Sequence, residues 1–163
     1  MSLLHLCQWL SATPAATAMR ESPWIYSLIE SIHVLGITAL AGTAAVLDLR
    51  LLGVTMRREQ VSQVVELITP IAWFGAAIMF GSGLLLFWAK AENCYANPAF
   101  RLKLLLLLLA ASNPLVFHLT TYRSVASWEN ATEPPPRAKV AGILSLVLWS
   151  GIIVAGRAIA YYH

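Results

Sequence analysis

Two histidines lie inside long apolar segments of this chain, where ionisable side chains are rare. His33 sits about ten residues into the first such segment, and His118 lies late in the third. A histidine at such depth must be paired or must bind something, because exposing an ionisable group to hydrocarbon costs free energy. Imidazole is a common axial ligand of haem iron and also binds copper. These two residues are therefore the candidate cofactor and metal ligands.

Other polar residues accompany the histidines within the apolar segments. At a helical period, Glu30 lies about 60° from His33, and Asp48 returns to the bearing of Glu30. Asn113 precedes Pro114 in the third segment and needs an interhelical partner. We predict a polar intramembrane network of Glu30, Asp48 and Asn113. Glu30, His33 and Asp48 are expected to face the bundle or a subunit interface rather than lipid.

Arginines near helix ends complete the candidate cofactor site. Arg50 and Arg157 are expected to pair with haem propionates or to reach an interface or a carboxylate. If the first and third segments run parallel, His33 and His118 differ in depth by about 15 Å at 1.5 Å per residue. Either two separately ligated haems are then needed, or one histidine is not a ligand.

Four apolar segments must position these residues, and each is long enough to cross a hydrocarbon core of about 30 Å. The sequence is 58% hydrophobic and only 12% charged, which excludes an ordinary soluble domain. Membrane-spanning segments of this kind must be helices, because lipid offers the backbone no hydrogen-bond partner. The predicted fold is all-α, an integral membrane four-helix bundle with spans at about 24–52, 64–90, 99–123 and 137–161.

The N-terminal segment predicts a short helix lying in the membrane interface. Residues 2–12 are amphipathic with Trp9 as an anchor, and Pro14 is expected to end this helix. The segment lacks the basic region that opens a signal peptide. Ser22 is placed to cap the first span. The connections are too short to fold alone, so we predict a single membrane domain over residues 1–163.

The positions of the charged residues and of the two cysteines limit the partners and the orientation that we expect. Lys and Arg cluster at helix ends, which suits lipid head groups and makes nucleic-acid binding an unnecessary explanation. Six basic residues lie in the loops after the first and third spans, and five lie on the other side of the membrane. Because Lys and Arg are more frequent on the cytoplasmic side, this excess of one residue favours both termini outside the cytoplasm. Cys7 and Cys94 are predicted to be on the same side, either as two free thiols, which we favour, or as a disulfide.

A resemblance to a known family rests on several strings in fixed order. ESPWIYSLIESIHVLG, VLDLRLLG, NPAFRLKL, NPLVFHLTTYR and SLVLWSGIIVAGRAIAYY resemble a bacterial four-helix integral membrane family of unknown function over nearly the whole chain. The pattern marks Arg20, Glu30, His33, Asp48, Arg50, Lys103, Asn113, His118, Trp149 and Arg157. More loosely, the two histidines resemble those of small membrane b-type cytochromes and copper-resistance D proteins. The resemblance implies the bacterial inner membrane and carries no activity with it.

The function predicted first is electron transfer through b-type haem. His33 and His118 would be its ligands, and the protein would work beside a larger redox partner or as a homo-oligomer. Nothing in the chain forms a hydrolase or phosphate-binding motif, so a stand-alone enzyme is not expected.

Three alternatives remain open. A proton- or metal-ion-coupled permease would use a relay along the first span through Glu30, His33, Asp48 and Arg50. A copper site would join His33 to the thioether of Met79, since soft sulfur and imidazole suit Cu(I). A non-catalytic accessory subunit of a larger membrane complex would satisfy the charged residues across its subunit contacts.

Overall fold

The computed structural model describes residues 3–129 and 133–161, and every regular element in these ranges is a helix. Seven α-helices follow one another: α1 (Leu3–Ser11), α2 (Pro14–Glu21), α3 (Ile25–Leu51), α4 (Val61–Ala89), α5 (Ala91–Ala96), α6 (Pro98–Leu119) and α7 (Pro136–Ala158). Short 3-10 helices follow α6 at Tyr122–Ser127 and α7 at Ile159–Tyr161.

Four of these helices are long and apolar enough to cross a membrane, namely α3, α4, α6 and α7 with its 3-10 extension. The predicted all-α, four-helix membrane architecture is confirmed, and the chain is a multi-pass membrane protein. The bounds differ from the prediction mainly in the third span. There α6 ends at Leu119 rather than near residue 123, and a separate 3-10 helix begins at Tyr122.

Helix α3 packs on α4 and on α7, while α6 packs on α7 and meets α4 where the rings of Phe100 and Phe87 stack at 5.7 Å. Close approaches occur at glycines, where a side chain would meet the neighbouring backbone. A Cβ added at Gly75 would lie 2.8 Å from the backbone nitrogen of Leu40, and one at Gly142 would lie 3.0 Å from the carbonyl oxygen of Asp48. These small residues therefore allow α3 to touch both neighbours closely.

Contacts between helix ends fix the directions of the spans. His33, early in α3, meets Ser82, late in α4. Asp48, late in α3, meets Gly142, early in α7. Because Lys103, early in α6, meets Gly156, late in α7, helices α3 and α6 run parallel. We call the end of the bundle with α1, α2, α5 and the last residues of α7 the terminal end, and the end with residues 52–60 and 120–129 the loop end.

The N-terminal segment forms two helices where the sequence predicted one. Pro14 does not simply end α1, because it also opens α2, whose N-terminus is capped by the Thr13 hydroxyl. Arg20 then joins this segment to α4 by donating to the carbonyl oxygen of Ala89 at 2.7 Å. Ser22 does contribute to the start of α3, since its hydroxyl oxygen accepts from the Ile25 backbone N–H at 3.2 Å.

Candidate functional site

The side chain of His33 lies half-buried against α4, within the terminal half of the bundle. Its Nδ1 lies 2.9 Å from the hydroxyl oxygen of Ser82. The Ser82 hydroxyl is one helical turn after Ile78 and donates to that residue's carbonyl oxygen at 2.5 Å. The backbone of Met79 also makes a hydrogen bond to the His33 ring. One edge of the imidazole is therefore held by a single short stretch of α4.

These hydrogen bonds favour one tautomer of the His33 ring. The Ser82 hydroxyl has one hydrogen, and its contact with the Ile78 carbonyl oxygen at 2.5 Å is the shortest that it makes to an acceptor. If the hydroxyl donates there, its oxygen accepts from the ring, and Nδ1 of His33 is the donor. In that tautomer Nε2 carries a lone pair, and no side chain of residues 3–129 and 133–161 hydrogen-bonds to it.

A glycine makes room for this ring. A Cβ added at Gly83 would lie 3.1 Å from Cε1 of His33, the carbon between the two ring nitrogens. The imidazole therefore approaches α4 closely at Gly83, where no side chain intervenes. A larger residue at this position would press on the ring.

Lys103 is the cation nearest to this histidine in the described structure. Its half-buried side chain extends from the first turns of α6 and lies over Gly156 of α7, where an added Cβ would be 3.6 Å from the ammonium nitrogen. The ammonium is close enough to act electrostatically on His33. No carboxylate or other hydrogen-bond acceptor within the described ranges contacts it. An imidazole lone pair and an unpaired ammonium therefore share one region of the terminal half.

Two further residues predicted for the site lie at the terminal end but are exposed. Glu30 is close enough to act electrostatically on His33, yet its side chain is on the outer surface of the monomer. The bundle of a single chain therefore does not bury Glu30. The sequence predicted that Glu30 faces either the bundle interior or a subunit interface, and the first of these is not observed. Arg157 is exposed beside Gly156, at the same end of the bundle as Lys103.

Asp48 occupies a different place, between α3 and α7 in the loop half. Asp48 is only 5% exposed, and the Ser145 hydroxyl hydrogen-bonds to its carboxylate. The other carboxylate oxygen, Oδ2, has no hydrogen-bond partner among the described residues. Asp48 thus faces the bundle interior, as the sequence predicted.

Arg50 is not available to a cofactor or to a carboxylate, contrary to the expectation from sequence. Its side chain is 1% exposed. Nε and Nη2 donate to the carbonyl oxygen of Glu59 at 2.9 and 2.8 Å, and Nη2 also donates to that of Glu129 at 3.2 Å. The guanidinium therefore joins the two connections of the loop end through their backbones.

His118 lies at the loop end, far from His33. It is twenty residues after Pro98 whereas His33 is eight after Ile25, so the two differ in depth by about 18 Å along parallel helices. The His118 ring is exposed and stacks on Tyr122 with a centroid distance of 4.4 Å. The structure does not bring the two histidines together, in agreement with the depth offset predicted from the sequence.

The predicted polar network is likewise not one cluster. Asn113 finds the interhelical partner that was expected, because its amide nitrogen donates to the Ala141 carbonyl at 3.0 Å. Asp48 contacts the next residue of α7, Gly142, from the α3 side. Glu30 lies apart from both, and Arg50 points to the loops. The relay predicted along the first span comprises Glu30, His33, Asp48 and Arg50. Within the described residues, no hydrogen bond joins one of these side chains to the next.

Two groups outside the spans have shifted pKa values. Burial raises the pKa of the Cys94 thiol, and the positive charges of Lys90 and Lys103 partly oppose that shift. Burial, followed by the nearby carboxylates of Glu66 and Glu129, raises the pKa of the Tyr122 hydroxyl. Both cysteines are free thiols, as favoured from the sequence.

Lys103 is the site residue that the sequence analysis left out. It appeared among the residues marked by the family resemblance but was assigned no role, because a lysine near a helix start is usually solvated. The available signal was the pair of Lys103 and Gly156, since a glycine late in α7 leaves space for a long side chain from α6.

The chain belongs to a family described as of unknown function (DUF6644), whose model matches residues 21–162. No curated protein and no solved structure matches the chain. The family match covers α3 to α7 and hence every residue of the terminal-half site.

Proposed function

We propose that this protein binds b-type haem in the terminal half of the bundle, through Nε2 of His33, and acts as a small electron carrier of the bacterial inner membrane. The observation that supports the proposal is the uncommitted lone pair of Nε2 on a ring whose other nitrogen is held by Ser82. Metal-binding histidines characteristically donate their second ring N–H to a fixed partner, which sets the tautomer and the ring orientation.

Lys103 takes the role first predicted for Arg50. Haem carries two propionates, and an ammonium that acts on the ligand histidine and has no acceptor among the described residues suits one of them. Arg50 is occupied by backbone carbonyls in the other half of the bundle. Arg157 is exposed next to Gly156 and remains available for the second propionate at the membrane surface.

His118 is left out of this site. A single haem on His33 requires no ligand from the loop end, and the depth offset of about 18 Å exceeds the reach of one macrocycle. Haem supplies the one-electron chemistry, and the chain's own contribution is to hold His33, to place a positive charge nearby and to surround both with apolar helices. A larger redox partner or a second copy of the chain would receive the electron.

Copper is the second cofactor that His33 suits, but the local geometry favours it less. A copper site would need the thioether of Met79, whereas the contact that Met79 makes with His33 is through its backbone. Metal analysis of the purified protein separates the two cases, because copper without iron would support the copper site and iron with a haem spectrum would support the haem site.

A reduced-minus-oxidised spectrum of protein purified from its native membrane tests the proposal. We expect Soret and α-band changes in the wild type. Ser82→Ala should weaken haem retention about tenfold, since it frees His33 Nδ1 from its acceptor. Ser112→Ala is the matched control, because that hydroxyl also donates to its own helix, to the Leu108 carbonyl, but is exposed on α6. A wild-type preparation without these bands would contradict the proposal.

A further inference from the structure

The carboxyl group of Asp48 is a buried polar group that the proposed haem site does not use. It lies at the packed interface of α3 and α7, in the other half of the bundle from His33. The residue is only 5% exposed, and Oδ2 has no hydrogen-bond partner in the described structure. Buried carboxyl oxygens are nearly always satisfied, so a carboxyl oxygen without a protein partner requires a physical explanation.

No counter-charge explains the position of Asp48. The nearest cation in sequence, Arg50, is turned about 200° around the helix and donates to backbone carbonyls instead. The other titratable groups of the loop end that the structure describes include His118, Tyr122, Glu59, Glu66 and Glu129. Among described residues, the one side chain that acts appreciably on the Asp48 carboxyl is Ser145.

The donor set argues against a metal cation as the missing ligand. Calcium takes about six to eight oxygen ligands. Asp48 and Ser145 supply one carboxyl and one hydroxyl, and no group of three or more metal-ligating side chains is found among the described residues. The carbonyl oxygen of Asp48 is already taken, since it accepts from the Leu52 N–H at 2.9 Å. A proton suits this position better, because a neutral carboxyl costs less free energy to bury than an unpaired carboxylate does.

We propose that the carboxyl of Asp48 is a proton-binding site that exchanges its proton with water at the loop end of the bundle. The bound proton resides on Oδ2, while the other oxygen keeps its contact with the Ser145 hydroxyl. On release the O–H bond breaks, the proton passes to water, and the carboxylate is left accepting from Ser145. Asp48 is three residues from the end of α3 at Leu51, so its backbone lies about 5 Å along the helix axis from that end.

The loop end of the bundle next to Asp48 is packed with apolar side chains. Leu51, Val61, Phe117 and Ala138 form a buried apolar cluster at the loop end. Arg50 holds the two connections above this cluster through Glu59 and Glu129. Exchange therefore requires a transient opening of the cluster, and its rate reports how firmly the loop end is closed. The inference rests on Asp48 and Ser145 alone and is independent of haem.

Infrared spectroscopy of the purified full chain in lipid tests this site. At neutral pH we expect a protonated-carboxyl C=O stretching band that is lost in Asp48→Asn and retained in Glu30→Gln, whose carboxyl is exposed. Ser145→Ala should shift the band without removing it, because it changes the hydrogen bonding of a carboxyl that stays protonated. This variant also keeps the test decisive if Asp48→Asn fails to fold.

Transfer of the protein into D2O buffer tests the exchange. The band should move to the deuterated-carboxyl position while the most protected helical amides are still protonated. Two results would overturn the proposal: a wild-type spectrum with no such band at neutral pH, or a band that stays unshifted in D2O until those amides have exchanged. The second result would mean that the proton is a fixed part of the packing.

Discussion

The two halves of the bundle use similar residues in opposite ways. Each has a basic side chain near a helix end that is at least half-buried, Lys103 in the terminal half and Arg50 in the loop half. Arg50 is fully buried and is held by two backbone carbonyls, whereas Lys103 is half-buried and has no acceptor among the described residues. The difference teaches that burial alone does not make a cation a candidate for ligand binding, because the protein itself can satisfy it, as it does at Arg50.

The histidines repeat this contrast. Nδ1 of His33 is hydrogen-bonded to Ser82, whereas no side chain of the described residues hydrogen-bonds to its Nε2. His118 is exposed and stacks on Tyr122 at the loop end. Sequence alone treats both as intramembrane imidazoles. The structure separates them by which atoms already have partners.

The largest effect is expected from Arg50→Met, which tests whether Arg50 stabilises the loop half of the bundle. It would leave the carbonyls of Glu59 and Glu129 without their charged donor and remove a guanidinium that is itself 1% exposed, and we expect the free energy of unfolding in detergent to fall by about 4 kcal/mol. Arg57→Met is the matched control, because Arg57 is exposed at the same end and bonds only the nearby Gly53 carbonyl. Equal losses in the two variants would show that Arg50 does not hold the loops.

The next largest effect is expected from Lys103→Met in the terminal half. Removing the ammonium should weaken haem retention about thirtyfold, the equivalent of about 2 kcal/mol for a charge-assisted hydrogen bond. Stability should change little, since Lys103 has no hydrogen-bond acceptor to lose within residues 3–129 and 133–161. Lys90→Met removes a charge from the same end, where Lys90 lies over the Tyr26 ring, and should leave haem retention unchanged. A similar loss in both variants would assign the effect to overall charge rather than to the site.

Much of the fold was predictable, and the reasons are physical. Length and hydropathy specify four spans, Pro14 and Ser22 mark helix boundaries, and Asn113 needed the interhelical acceptor that Ala141 supplies. These features depend on local sequence or on the obligation to satisfy a polar group in lipid. The depth offset of the histidines also followed from counting residues.

The candidate site was harder to predict, because long side chains do not stay at the bearing of their Cα atoms. Arg50 reaches out of the bundle into two loops, and Lys103 reaches across to Gly156 on another helix. Helical periodicity predicts neither the direction of the Arg50 side chain nor that of the Lys103 side chain. The tautomer of His33 depends on Ser82 and Ile78, residues of a different helix whose register with α3 is a matter of packing.

The smallest effect concerns Cys94, which lies outside the spans and reports the charge of Lys103. Because burial raises the thiol pKa, alkylation of Cys94 in a Cys7→Ser background should become fast only above the usual thiol pH range. Lys103→Met removes a charge that lowers this pKa, so the pKa should rise further and alkylation at a fixed alkaline pH should slow about twofold. An unchanged rate would place the ammonium elsewhere than over Gly156.

The central claim is that the terminal half, and not the loop half, holds the cofactor. Haem content per chain, measured as the pyridine haemochrome on protein from native membranes, tests it most directly in His33→Ala and His118→Ala. The account predicts one haem per chain in the wild type and in His118→Ala, and none in His33→Ala. Loss of haem in His118→Ala with retention in His33→Ala, or no haem in the wild type, would contradict it.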